Sequence, residues 1–418
     1  MSEQLSAKNI IISIIKSIDL YNFLLKDHHR RTAIIAYQLG SLYGMEKKEL
    51  DALVLAASLH DIGALHITER DKLIEVDVEC PERHEQLGAA MLSGFAPFAG
   101  IASILRHHHV NYGDFIGGKY DKEEIPLACF LLNLSDRIDV LLLRNVNEAN
   151  PREKVVEEIA ARFGTIFHPC FKEIFDVAVK SDGFWLNIEH QSFGELLFST
   201  VDDTYHDLTH DDIKALVIIF AQIVDYKSPW TSSHSQTVGI LANKIGQLMG
   251  LSNEECLELT IAGYLHDIGK VAVPTELINK PGPLDQAEML SMKEHAIYSN
   301  LILSSIHGLE KIARWASNHH EKRDRSGYPK MIDSSQFDYR MDIIAYSDII
   351  SALTEDRPYR KSFDQAKVRD VLLEMGPAKL DRQVLDVIVS NMDDIFSIAQ
   401  NMKDWTGSNV CLLSADWN

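Results

Sequence analysis

Apolar side chains in this chain recur every three or four residues and do not sustain the two-residue alternation of a half-buried strand. In HSQTVGILANKIGQLMG (234–250), Val238, Leu241, Ile245 and Leu248 share one face of a 3.6-residue helix. In KIARWASNHH (311–320), Ile312, Trp315 and His319 keep the same spacing. The pattern predicts an all-α protein. PGP at 281–283 and GYP at 327–329 mark loops. The connector DDTYHDLTHDDIKAL (202–216) supplies Thr and Asp side chains able to cap a helix that opens near residue 211. Two further amphipathic helices and a frayed end are expected beyond residue 362.

The helical pattern occurs twice. GMEKKELDALVLAASLHDIG (44–63) aligns with GLSNEECLELTIAGYLHDIG (250–269) at an offset of 206 residues, which also pairs His28 with His234 and Asp19 with Asp225. His84 pairs with His295 and His108 with His319 at 211, and NLSDRI (133–138) pairs with AYSDII (345–350) at 212. So slow a drift is what loop insertions produce, and it predicts two copies of one domain, residues 1–190 and 191–418.

Composition narrows the partners. A formal charge of −20 over 418 residues disfavours a nucleic-acid polymer or an anionic membrane, both of which need a basic face. A small anion remains compatible, since it needs only a local pocket of positive charge. Cys80, Cys129, Cys170, Cys256 and Cys411 are dispersed, as expected of reduced thiols in the cytoplasm. The apolar opening KNIIISIIKSI is shorter than the roughly 20 residues of a membrane span and reads as a core helix. A homodimer fits base rates for soluble proteins.

The chemistry lies in histidine and aspartate. Of four His-Asp dipeptides, His206-Asp207 and His210-Asp211 sit in the polar connector and read as solvated or capping residues. His60-Asp61 and His266-Asp267 each end an apolar helix and precede Ile-Gly. With them the second copy offers His234, His295, His319, His320 and Asp348, a costly set to bury without a partner. Imidazole and carboxylate without thiolate suit Mn, Fe, Zn or Ni. Neighbouring helical residues point about 100° apart, so His266 and Asp267 reach one site only if it is wide; a carboxylate bridging two ions meets that condition. His307 and His210 read as surface residues.

HDIGK, VPTELINKPGPL, KEH, HHEKRDRSGYP and SDIISALTEDRPYR, in that order across residues 225–361, closely resemble the HD-GYP branch of the HD phosphohydrolases. The resemblance implies a helical, metal-dependent phosphodiesterase acting on a cyclic dinucleotide, cyclic di-GMP or 3′,3′-cyclic GMP-AMP. It implies two divalent ions, Fe or Mn ahead of Ni or Zn. One is expected on His234, His266, Asp267 and Asp348, the other on His295, His319 and His320, with Asp267 shared. Asp267 and Lys270 are the expected catalytic residues, with Lys270, Tyr328, Arg357 and Arg360 on the substrate side. Such a pair of ions acidifies a bridging water and clamps the phosphoryl oxygens, and the resemblance leaves the general acid unassigned. Trp230 stands where some members carry a third-metal Glu, Arg325 replaces the usual Gly of the GYP loop, and Ser351 replaces the second Asp of the SDxxD stretch. Arg325 is expected to alter the shape of that loop and so the choice of substrate.

The first copy carries His28, His60, Asp61, His84, His108, His109 and Asp136, a complete ligand set by register, with His29 and His107 as disfavoured competitors. Ala64 stands where Lys270 stands, and the GYP loop and RPYR have no counterpart. This copy is expected to retain metal without turnover and to act in packing, dimerisation or ligand sensing. Two other readings of the whole chain are a cyclic-dinucleotide-binding regulator and a hydrolase of another nucleotide phosphoester. Intact Lys270 and the GYP loop weigh against them.

Overall fold

A computed structural model describes residues 27–64, 82–120, 125–190, 209–225, 234–306, 308–356, 360–375 and 378–402. The opening apolar stretch, the His206-Asp207 dipeptide, Trp230, His307, Arg357 and the expected frayed end all lie outside these residues, as does the side chain of His210. The described residues are helical and contain no strand; isolated bridges occur between Phe163 and Phe167 and at Arg360. It falls into two compact units that divide between residues 190 and 209.

The first unit carries its polar cluster on α1 (His28–Tyr43), α2 (Lys47–Leu59), α3 (Glu82–Ser93), α4 (Ala99–Leu105) and α5 (Leu127–Arg144). The second opens with α6 (His210–Asp225) and continues through α7 (His234–Leu248), α8 (Asn253–Leu265), α9 (Gln286–Ser304), α10 (Glu310–Ser317) and α11 (Tyr339–Thr354). The two helices expected beyond residue 362 are α12 (Gln365–Met375) and α13 (Arg382–Ser390). Helix starts follow their capping chemistry. Thr209 and Asp212 bond reciprocally at the head of α6, Ser252 and Glu255 form a capping box on α8, and Asp285 and Glu288 form one on α9.

α8 is central to its unit. Leu259, Ile261, Ala262 and Leu265 are all buried, so the helix is covered on every side rather than along one stripe. It packs against α6, α7, α10 and α11, and its C-terminal end therefore falls in the interior. α2 is enclosed in the same way through Leu53, Val54, Ala56, Ala57 and Leu59. Each central helix thus delivers one His-Asp pair to the middle of its own unit.

The helical geometry stops at that pair. Asp267 has left the helix (φ −99°, ψ 9°), and Ile268–Ala272 continues as a 3-10 segment. The change of direction lets His266 and Asp267 face one site, with the Asp267 carboxylate between two histidine groups. Lys270 lies in this 3-10 segment. His319 and His320 likewise follow the end of α10 in a turn instead of extending its face.

Glycine is required where the 3-10 turn crosses α9. A Cβ on Gly269 would lie 2.0 Å from the His295 carbonyl oxygen and 2.5 Å from the Ser299 nitrogen. Gly63 meets the His84 carbonyl at 2.1 Å in the first unit, so the Ile-Gly after each pair has a packing cause. Ser299 closes the crossing, its Oγ accepting from the Gly269 N–H and donating to the His266 carbonyl, both at 2.9 Å. Gly269→Ala is expected to cost about 1–3 kcal/mol through overpacking of backbone against backbone. Gly282→Ala, with open space around its Cβ, should be neutral, and paired thermal denaturation of the two variants checks this.

Candidate metal centre

In the second unit, five helices or helix ends bring seven side chains together. His234 comes from the start of α7, His266 and Asp267 from the end of α8, His295 from α9, His319 and His320 from beyond α10, and Asp348 from α11. Ligand atoms of His234, His266 and Asp348 lie within 4.8 Å of one another, and those of His295, His319 and His320 form a second such group. Asp267 stands between them. Its Oδ2 is 3.2 Å from His266 Nε2 and 3.9 Å from His234 Nε2, while its Oδ1 is 3.4 Å from His295 Nε2 and 4.0 Å from His319 Nε2.

The imidazoles are aimed. His266, His295 and His319 each donate Nδ1–H to the carbonyl three residues earlier (Gly263, Met292 and Ala316, at 2.6–2.7 Å). That fixes the tautomer with the Nε2 lone pair facing the site. Those three Nε2 atoms and Asp267 Oδ1 are buried without a hydrogen-bond partner. Four orphaned acceptors at one point are costly unless a cation satisfies them. The donor set, nitrogen and oxygen without sulfur, fits a divalent metal of the Mn, Fe, Zn or Ni kind.

Electrostatics follow the same geometry. Burial opposes ionisation of Asp267, but Lys270 and the imidazoles of His266 and His295 outweigh it and hold the carboxyl well below its usual range. Burial alone would lower His234; the Glu355 and Asp348 carboxylates prevail and push it up to about 10. His319, buried and facing His266, is depressed to about 3. The metal-free site therefore holds His234 as an imidazolium.

The substrate-side residues are placed less uniformly. The Lys270 ammonium sits on Asp267 Oδ2. Tyr328 lies against His320 with ring centroids 4.6 Å apart, and Lys293 Nζ is 5.0 Å from its ring centroid. Burial, with Asp267 and Asp348 nearby, keeps its phenol protonated. The Arg360 guanidinium is engaged by the Ala352 carbonyl at 2.5 Å and by the Phe363 ring rather than by the imidazole cluster. Arg325 adopts φ +62°, the left-handed conformation that glycine holds freely, and pairs with Asp333.

Several residues escaped the sequence reading. Glu321 is buried and accepts from the backbone N–H groups of Lys330, Met331 and Ile332 at 2.6–3.2 Å, clamping the loop that carries Tyr328. Gly327 lets that loop close, because a Cβ there would lie 2.4 Å from the His320 carbonyl. Ser351 Oγ lies 3.0 Å from His234 Nδ1 and donates to Glu355 at 2.8 Å, so Glu355 supplies the carboxylate that Ser351 lacks. The four-residue spacing of Ser351 and Glu355 was the available signal. Lys322, largely buried, has its ammonium destabilised by that burial.

The first unit repeats the arrangement. His28, His60 and Asp136 form one group, and Asp61, His84, His108 and His109 another. His28 Nδ1 donates to Asp139 at 2.7 Å, where Asp139 aligns with Ser351. His107 lies outside these groups, on a groove with Tyr120. His29, disfavoured by register, does come within the same distance of His60 and Asp61. Ala64 is buried where the second unit places Lys270.

The repeated helical unit with a His-Asp pair at its centre defines a class. Two family profiles, each described as an HD domain, match residues 25–141 and 219–384, and the chain belongs to the HD-domain family with two such domains. Among its relatives, 3′3′-cGAMP-specific phosphodiesterase 1 of Vibrio cholerae is 28% identical over 392 residues, 91% of this chain and 90% of that protein. Phosphodiesterase 3 of the same organism is 32% identical over 254 residues, 60% of this chain and 54% of that one. A cyclic di-GMP phosphodiesterase of Thermotoga maritima is 28% identical over 248 residues, 59% and 62% of the two chains. A crystal structure of a V. cholerae cyclic GMP-AMP-specific phosphodiesterase covers 93% of this chain and 98% of its own, with a TM-score of 0.63 at 22% identity, which shows a shared fold. No described helix is long and apolar enough to cross a membrane.

Two outcomes follow from this geometry. A raised His234 stabilises the metal-free fold fully below its ordinary 6.5, and that stability is lost as pH rises through about 10. Divalent metal must displace this proton, so metal affinity should rise with pH across that window, with proton release measurable by calorimetry in buffers of different ionisation enthalpy. Glu321→Ala strands three backbone donors, each costing about 1–3 kcal/mol if left unpaired. Limited proteolysis should then cut within residues 322–333 while circular dichroism shows the helices unchanged.

Proposed function

We propose that the second unit is a metal-dependent phosphodiesterase that opens a cyclic dinucleotide, 3′,3′-cyclic GMP-AMP or cyclic di-GMP, to its linear form. The observation that carries this is the Asp267 carboxylate, buried with one oxygen toward each of two histidine groups whose Nε2 atoms lack partners. The near full-length match to a protein named for 3′3′-cGAMP supports the substrate class. Two divalent ions, iron or manganese, fit the two groups. Bound there, they supply the Lewis acidity and activated water that a charged phosphodiester needs.

The chain's own residues do the rest. Backbone carbonyls hold three imidazoles in the ligating tautomer, and Ser351 with Glu355 does the same for His234. Asp267 ties the two groups into one rigid unit. Lys270, three residues from Asp267 and partly exposed, moves from that carboxylate to a phosphate oxygen and neutralises charge growing on phosphorus. Oxygen from water bonds to phosphorus as the ribose 3′ oxygen leaves and takes up a proton. Tyr328, kept protonated, offers an O–H and a ring face at the rim, and Arg357 and Arg360 serve the distal part of the substrate. The first unit, residues 1–190, acts as a non-hydrolysing partner to residues 191–418.

The test is hydrolysis of both cyclic dinucleotides by protein loaded with Mn²⁺ or Fe²⁺, followed by separation of linear products. His266→Ala and Asp267→Ala should abolish product. Lys270→Ala should keep its metal and lose about 10²–10³-fold in kcat, the usual cost of one charge-stabilising donor. Tight binding of either nucleotide without product would overturn the enzymatic reading, and an unchanged Lys270→Ala rate would overturn the role given to that lysine.

A further inference from the structure

The two units differ at one buried position that bears directly on metal. Arg137 aligns with Ile349, each immediately after the aspartate of α5 or α11. Arg137 is buried, with Nη2 3.0 Å from His109 Nδ1 and Nε 3.4 Å from Asp136 Oδ2. A guanidinium has five donors and no acceptor, so His109 Nδ1 must accept. The proton of the neutral ring then lies on Nε2, which points at His84 Nε2 from 3.0 Å. His109 thereby donates to His84 and engages its lone pair.

This reverses the polarity found at the other histidines. His60 and His108 donate Nδ1–H to the Ala57 and Leu105 carbonyls, as His266, His295 and His319 do to theirs, which leaves the lone pair on Nε2; in the first unit those Nε2 atoms face His28 Nε2 and His84 Nε2, each at 3.2 Å. The His28, His60, Asp61 and Asp136 end of the first unit keeps that arrangement. His28 Nε2 is 3.2 Å from His60 Nε2 and 3.3 Å from Asp136 Oδ1, and His28 Nδ1–H is held by Asp139. Asp136 faces this group with Oδ1 and Arg137 with Oδ2. At the His84–His109 end, two would-be ligands are spent on each other and a fixed positive charge stands beside them.

We propose that the first unit binds a single divalent ion, on His28, His60, Asp61 and Asp136, and that Arg137 closes the neighbouring position formed by His84, His108 and His109. One ion cannot clamp and activate as a pair does, so Arg137 and Ala64 disable the unit independently. The inference builds on reading the second unit as a two-ion site, and its test removes that site.

The experiment uses the full chain carrying His266→Ala and Asp267→Ala, reconstituted with Mn²⁺ and freed of excess. Manganese per chain is measured by elemental analysis and by electron paramagnetic resonance. The expected result is one manganese with the spectrum of an isolated ion, rising to two with an exchange-coupled spectrum when Arg137→Ile is added. Arg137→Met serves as a second removal of the donor should the isoleucine variant fail to fold by circular dichroism. Two ions with Arg137 present, none at all, or a count still at one in a folded Arg137 variant would each overturn the proposal. The manganese that the His266→Ala and Asp267→Ala changes themselves remove tests the second unit separately.

Discussion

A buried carboxylate that must be compensated from both sides organises the second unit. Asp267 is almost inaccessible to solvent and ionised, which in a protein interior is tolerable only among opposite or ligating charges. His266 and His234 face one of its oxygens, His295 and His319 the other, with Lys270 alongside. α7, α9, α10 and α11 are packed so that their histidines or aspartate reach this point, and α8 is enclosed so that its end falls there. Much of the helical core can be read as a frame for one aspartate.

The two units keep that frame and diverge in the layer of residues behind it. Where the first has Asp139 behind His28, the second has Ser351 and Glu355 behind His234, so the supporting carboxylate has moved along the same helix. Where the second has Ile349, the first has a guanidinium against His109. Where the second has Lys270, the first has buried Ala64. None of these changes removes a candidate metal ligand by type. Each alters tautomer, charge or reach, and such differences turn equivalent ligand lists into sites of different capacity.

The helical class, the duplication and the two groups of histidine and aspartate were legible because helical periodicity, a long internal offset and a repeated His-Asp-Ile-Gly are local or self-aligned signals. The exit from helical geometry at Asp267 was not, since it depends on Gly269 meeting the backbone of α9. The role of Glu321 was hidden for a similar reason: its partners are backbone N–H groups nine to eleven residues on, which leave no mark in side-chain identity. Arg325, expected to reshape the GYP loop, holds a left-handed backbone and pairs with Asp333, a conformation that the residue's identity alone does not announce. His29 shows the limit of register: alignment selects His28, yet folding brings both neighbours to His60.

In the proposed centre, two cations are held on opposite oxygens of Asp267. Anomalous diffraction from crystals of manganese- or iron-loaded protein tests it most directly. Two peaks about 3.5–4 Å apart, one among His234, His266 and Asp348 and the other among His295, His319 and His320, with Asp267 between them, are the predicted result. A single peak, or none, in fully loaded crystals would contradict it.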